Sequence, residues 1–217
     1  MRKIIFIILI LTIVGCAQNT SENVNRTDNN KKESEQDTMS KIKINPNIDK
    51  VNENNESELL IAVHNNDIEA AINLIDQGAN VNLQDNISDS PYLYAGAQGR
   101  TEILEHMLKY ADIDFSVVNR YGGNTLIPAA EKGHIDNVKL LVADDRIDID
   151  FQNNFGYTAL IEAVALTDGS EKFVEIVKIL VDAGADITLK DKSGKTALDY
   201  AKEKKYEKMI EILSKTS

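Results

Sequence analysis

Gly156-Tyr157-Thr158-Ala159-Leu160 decides the fold, together with Ala163 five places after the threonine. It reads as a turn glycine, a hydroxyl residue, an apolar pair and then a small residue. The same frame starts at Ser57, Ser90, Asn124, Thr158 and Thr196, in steps of 33, 34, 34 and 38 residues. The fifth position after each start is Ala62, Ala95, Ala129, Ala163 and Ala201. The second position is Leu59, Tyr92, Leu126, Leu160 and Leu198. A small side chain at a fixed place lets two helices approach closely.

Outward from each start, a second apolar pattern follows at helical spacing. It is Ile103-Leu104 with Met107-Leu108, Val138 with Leu140-Leu141, and Ile176-Val177 with Leu180-Val181. Gly78-Ala79-Asn80-Val81-Asn82 and Gly184-Ala185-Asp186-Ile187-Thr188 then predict turns, with Gly78 and Gly184 placed as left-handed helix ends. A polar finger leads to Gly122, Gly156 and Gly194 two places before the next start, with Ser88 there once.

Five units in register at a period near 33 resemble the ankyrin repeat family. The residues that carry the resemblance are Asp89-Ser90-Pro91-Tyr92-Leu93-Tyr94-Ala95, Ala129-Ala130-Glu131-Lys132-Gly133-His134, Gly156-Tyr157-Thr158-Ala159-Leu160 and Gly184-Ala185-Asp186-Ile187. The resemblance implies an all-α, helix-turn-helix solenoid of about five repeats with short β-hairpin fingers. The repeats fall near 57–89, 90–123, 124–157, 158–195 and 196–217. One helix pair cannot bury its apolar face alone, so neighbours must stack into a continuous core. The outer units read as caps: Asn66-Asp67 stands where the third unit has Gly133-His134, and Lys202 to Lys208 load the last unit with charge.

The chain also departs from the family pattern. Tyr110-Ala111-Asp112 and Asp144-Asp145-Arg146 replace the Gly-Ala turn. Asn124 stands where a threonine is usual, with Thr125 one place later. Thr167-Asp168-Gly169-Ser170-Glu171 is an insertion between the helices of the fourth unit, and predicts a mobile loop.

The N-terminus reads as an address. Met1-Arg2-Lys3 is basic, Ile4 to Val14 is apolar but for Thr12, and Gly15-Cys16 follows. Such a run is too short for a bilayer core, which needs about 20 residues. Ile13-Val14-Gly15-Cys16 resembles the lipobox of bacterial lipoproteins. That resemblance implies a signal peptide over 1–15, cleavage before Cys16, acylation of its thiol (palmitate or a similar chain), and a cell-membrane anchor on the extracytoplasmic face. Two acyl chains are enough for stable anchoring. Residues 16–56 read as the lipidated cysteine and a disordered tether. Ala17 to Glu56 has no aromatic, no Gly and ten Asn, so it has little apolar surface to bury. As a coil it would span about 35 Å on average.

The chemistry to be expected is limited. The 217-residue chain carries 35 Asp+Glu against 24 Lys+Arg, a net charge of −11, which argues against nucleic acid as a partner. All of that excess lies from Ser57 onward. One Cys permits no internal disulfide and no cysteine zinc cluster. His64, His106 and His134 occupy different frame positions and do not converge. His134 takes the family's structural position, bridging loops. No nucleophile elbow, phosphate loop or dinucleotide fingerprint occurs. Asp144, Asp145, Asp148 and Asp150 read as a solvated acidic loop, since the run lacks the spacing and the glycine of a Ca²⁺ loop. No enzyme activity, cofactor or metal is expected.

Function therefore falls to a surface. The resemblance implies binding through finger tips and the first-helix face. The second unit offers Asn86, Ile87, Asp89, Ala97 and Gln98; the third offers Arg120, Tyr121, Gly123, Glu131 and Lys132. The fourth offers Asn154, Phe155, Tyr157, Ala165 and Leu166; the last offers Lys192, Ser193, Lys195, Glu203 and Lys204. Aromatic and Arg side chains dominate interfaces. The expected partner-binding set is Ile87, Arg120, Tyr121, Asn154, Phe155, Tyr157 and Leu166. Tyr121 and Phe155 have an alternative role, packing finger on finger. The reading is a monomeric, lipid-anchored module that binds a protein at the cell envelope. The alternative is an inhibitor or immunity-type protein whose acidic face blocks a basic secreted enzyme or toxin.

Overall fold

The computed structural model describes residues 46–215. The expected signal peptide, Cys16 and the tether up to residue 45 lie outside the described residues.

Ten helices occur among the described residues. They are α1 (Glu58–Asn65), α2 (Ile68–Asp76), α3 (Pro91–Ala97), α4 (Thr101–Tyr110), α5 (Leu126–Lys132), α6 (Ile135–Val142), α7 (Ala159–Ala165), α8 (Glu171–Asp182), α9 (Ala197–Lys204) and α10 (Glu207–Lys215). Consecutive helices contact one another in pairs, α1 with α2 through α9 with α10. The first helices also pack in a row, α1 on α3, α3 on α5, α5 on α7 and α7 on α9. The second helices form the other row, from α2 on α4 to α8 on α10. The result is an all-helical, two-layer solenoid. Among the described residues no helix is long and apolar enough to cross a membrane.

The frame residues explain why each first helix starts where it does. Ser57, Ser90, Thr158 and Thr196 use their hydroxyl oxygens to accept the amide three places on, from Leu60, Leu93, Ile161 and Asp199. Each thereby satisfies an amide that the helix start leaves without a partner. Thr196 and Asp199 complete a reciprocal capping box. In the third unit Asn124 Oδ1 accepts from the Ile127 amide at 3.3 Å. The amide-bearing residue thus does the work of the missing hydroxyl, and the register is kept. The alanines follow suit: Ala62, Ala95, Ala129, Ala163 and Ala201 are all buried. Gly78 and Gly184 have φ values of 87° and 94°, the left-handed conformation expected of them.

Each finger closes as a tight turn with paired backbone bonds, as where the Asn119 amide donates to the Gly123 carbonyl and the Gly122 amide donates back to the Asn119 carbonyl. Among the described residues no strand extends these turns, and the one isolated bridge joins Val51 to Ser57. One expectation is corrected. The insertion in the fourth unit is tied down. Thr167 Oγ1 donates to the Ala163 carbonyl at 2.7 Å, and the Tyr206 hydroxyl donates to the Thr167 carbonyl at 2.8 Å. The Tyr206 ring lies so close to Gly169 that an added Cβ would meet it at 2.6 Å. The inserted residues are thus held by the start of α10.

Candidate functional site

Each finger is built around one Asn or Asp, five places before a frame start. Asn52, Asp85, Asn119, Asn153 and Asp191 each accept, on Oδ1, the amides two and four places on. These distances run from 2.8 to 3.0 Å. The Asx side chain, holding two amides, reinforces a turn already closed by backbone bonds from its own amide to the carbonyl four places on and from the amide three places on to its own carbonyl. The fourth residue of every finger has positive φ: Asn55, Ser88, Gly122, Gly156 and Gly194. The first finger, Asn52 to Glu56, falls in the stretch that composition assigned to the tether. It is joined to the next finger by Asn55 Nδ2, which donates to Asn86 Oδ1 at 2.8 Å. The Asx residue in each unit is the signal that could have found it.

Three of the four neighbouring finger pairs meet through backbone, and the second and third meet through the Arg120 and Asp89 side chains. The amides of Asn86, Asn154 and Lys192 donate to the carbonyls of Asn54, Tyr121 and Phe155, at 2.9 to 3.0 Å. The third residue of each finger therefore projects. Ile87, Tyr121 and Phe155 are the three successive tips of the middle fingers, 52, 57 and 55% exposed. More than half of the accessible surface of each residue stays in solvent, so these side chains are not consumed by finger-on-finger packing. Arg120 reaches back one finger, its Nη2 donating to Asp89 Oδ2 at 2.9 Å. Asn154 is exposed beside Gly122.

Tyr157, Ala165 and Gly123 are placed differently from the expected surface set. Tyr157 is half-buried, and its hydroxyl lies 3.4 Å from that of Tyr200. Tyr200 in turn donates to Asp191 Oδ2 at 2.5 Å. Burial alone would raise the Asp191 carboxyl. Hydrogen bonds from Tyr200, Lys195 and Ser193 outweigh it and hold the group at about 2. Leu166 is exposed as expected, at the end of α7. Ala165 and Gly123 are buried. His134 is held where the family pattern put it, against the Gly99 turn and bonded to the backbone of Ala97. Burial first, and then Lys132, Lys172 and Arg100, lower its pKa.

A groove of about 350 Å³ lies between the fingers and the first helices of the second to fourth units. Tyr94 and Leu93 come from α3, Ile127, Pro128 and Glu131 from α5, Glu162 from α7, and Asp89, Arg120 and Tyr121 from the fingers. Sequence reading missed Glu162. Its frame position holds Ile61, Tyr94, Pro128 and Tyr200 in the other units. Glu162 is only 7% exposed, and Oε1 accepts from Asn153 Nδ2 at 2.8 Å. Burial and the nearby Glu131 charge push its carboxyl up to about 7, against the pull of Asn153.

Among the described residues no three His, Cys, Asp or Glu come together as a metal site. Three of the four acids in the run hold structural bonds. Asp144 is paired with Arg146 at 2.5 Å, Asp148 accepts from the Asp150 amide, and Asp150 accepts from the Asp186 amide.

Comparison with known proteins gives one consistent answer. A family model described as ankyrin repeats, in three copies, matches residues 59–153 and again 126–217. The ankyrin repeat protein YahD of Escherichia coli K12 is 40% identical over 140 residues, which are 64% of this chain and 69% of YahD. The crystal structure of the ankyrin repeat protein EF0377 is 58% identical. It superposes with a TM-score of 0.78, over 85% of this chain and 93% of that one. An ankyrin repeat domain from Acinetobacter baumannii AYE, ABAYE2397, is 41% identical, with a TM-score of 0.75 over 86% of this chain and 92% of its own.

Proposed function

Because this chain belongs to the ankyrin repeat family, whose repeats generally mediate protein–protein interaction, we propose that it is a protein-binding module held at the cell envelope by a lipid on Cys16. The observation that carries the binding part is the row of tips Ile87, Tyr121 and Phe155. Three large apolar side chains stand exposed on consecutive fingers whose backbones are bonded to fixed Asx side chains. Scattered exposed apolar residues need no explanation, but a periodic row on a rigid support marks an interaction surface. Arg120, fixed by Asp89, and Asn154 flank the row; Leu166 is a separate exposed apolar residue at the end of α7. Tyr157 supports the fourth finger from behind and is left out of the contact set. The anchor is supported by the sequence alone, through the basic start, the apolar run and Gly15-Cys16.

The test has two arms. Envelope extract is passed over the chain and over a variant with Ile87, Tyr121 and Phe155 all changed to Ala. Loss of the captured protein with helical content retained is expected; undiminished capture refutes the tip assignment. In cells, Cys16→Ser should move the protein out of the membrane fraction. If it stays, the anchor is not on Cys16.

A further inference from the structure

The groove behind the tips is not a simple apolar slot. Its wall and its floor ask for different things. Leu93, Tyr94, Ile127 and Tyr121 offer apolar and aromatic surface. The buried acid among its lining residues is Glu162, more than nine-tenths buried. Among the described residues its carboxyl has one hydrogen bond, from Asn153 to Oε1. Oε2 accepts no hydrogen bond among the described residues, and Glu131, which lines the same groove, stands close enough to repel the carboxyl. The neighbouring cations do not answer it: Arg120 is engaged with Asp89, and Lys132 is exposed at the rim.

We propose that this groove receives an arginine side chain of the protein partner, with the guanidinium bonded by Glu162 and Glu131 and its stem lying along Tyr94 and Tyr121. This rests on the reading of the finger face as a protein-binding surface and names what that face selects. A guanidinium suits the site better than an ammonium. It is planar, donates in several directions at once, and stacks on aromatic faces while its methylenes cover apolar wall. The incoming cation supplies the counter-charge and donors that the buried carboxylate lacks, so an interaction costly in the free protein becomes favourable in the complex. The net charge of −11, all of it on the repeats, draws a basic segment toward this face.

The probes are Ac-Gly-Arg-Gly-NH2 and the same peptide with citrulline, which keeps the shape and removes the charge. Each is titrated into the full-length chain while the side-chain carboxyl of Glu162 and the Asn153 amide are followed by NMR. The arginine peptide should bind about tenfold tighter than the citrulline peptide, and Glu162→Gln should abolish the difference. That variant keeps an oxygen for Asn153, so it is expected to fold; the unshifted spectrum of the first unit verifies this. Glu131→Gln should weaken arginine binding in the same direction. Equal binding of the two peptides, or unchanged arginine binding by Glu162→Gln, overturns the proposal. So does an equal response to magnesium chloride at matched ionic strength, which would make the site a carboxylate pair for any cation. If the peptides fail while the tips still capture a protein, this inference falls and the function above stands. If tip-dependent capture fails as well, the function falls with it.

Discussion

Asn153 Nδ2 donates to Glu162 Oε1 at 2.8 Å, and so joins the Asx residue that shapes the fourth finger to the one acid buried in a first helix. The bond is too little to keep Glu162 charged at its ordinary value of 4.5; burial and Glu131 raise it to about 7. Between those values the folded chain holds a proton that the unfolded chain has lost. The contribution to stability is therefore complete below 4.5 and is lost as the pH rises through about 7. Relative to Glu162→Gln, the native chain should lose up to about 3 kcal/mol between about pH 5 and about pH 8. Urea unfolding of both proteins at the two pH values measures it. Parallel changes in the two proteins would show that Glu162 titrates normally.

One finger further on the sign is reversed. Asp191 accepts from the Tyr200 hydroxyl at 2.5 Å and is held at about 2, below its ordinary 3.8. Its contribution is present above 3.8 and lost as the pH falls through about 2. Tyr200→Phe removes one donor and leaves the amides of Ser193 and Lys195 in place. It should cost about 1.5–3 kcal/mol at neutral pH, the range for a hydrogen bond to a charged group. The cost should shrink in strong acid, where the carboxyl is neutral. Thermal unfolding across that range decides it; a cost that does not vary with pH would mean the hydroxyl acts through packing alone.

Much of this was legible in the sequence because a period carries more information than any single residue. The helix starts, the buried alanines and the left-handed Gly78 and Gly184 all follow from position in the frame. Failures came where a residue serves a partner far away in the chain. Tyr157 stands two places from the exposed Phe155, but its hydroxyl meets Tyr200, 43 residues on. Glu162 sits in an otherwise apolar helix, and only the groove around it gives it meaning. The first finger was hidden by composition: Asn52, Asn54 and Asn55 look like tether until Asn52 Oδ1 is seen holding the amides of Asn54 and Glu56. The family likeness implied β-hairpin fingers; the turns close with paired backbone bonds, and the Asx side chains hold two further amides, but no strand extends from them among the described residues.

The fingers also separate two costs usually confounded in a glycine substitution. Gly156 and Gly194 occupy equivalent turn positions with φ values of 78° and 84°. An alanine at either must adopt a left-handed conformation, which costs about 1–2 kcal/mol. At Gly194 an added Cβ meets nothing within 4 Å, so the conformational cost stands alone. At Gly156 it would lie 2.8 Å from the Lys192 amide nitrogen and 3.1 Å from two backbone atoms of Asp191. Main chain cannot swing aside as a lysine tip would, so the next finger must move. That movement strains the bond from the Lys192 amide to the Phe155 carbonyl, now 3.0 Å. Gly156→Ala should therefore cost about 1–3 kcal/mol more than Gly194→Ala in urea unfolding. It should also weaken partner capture through Phe155, which Gly194→Ala leaves intact. Equal costs would show that the fingers yield easily, and the argument that the tips stand on a rigid support would fail with them.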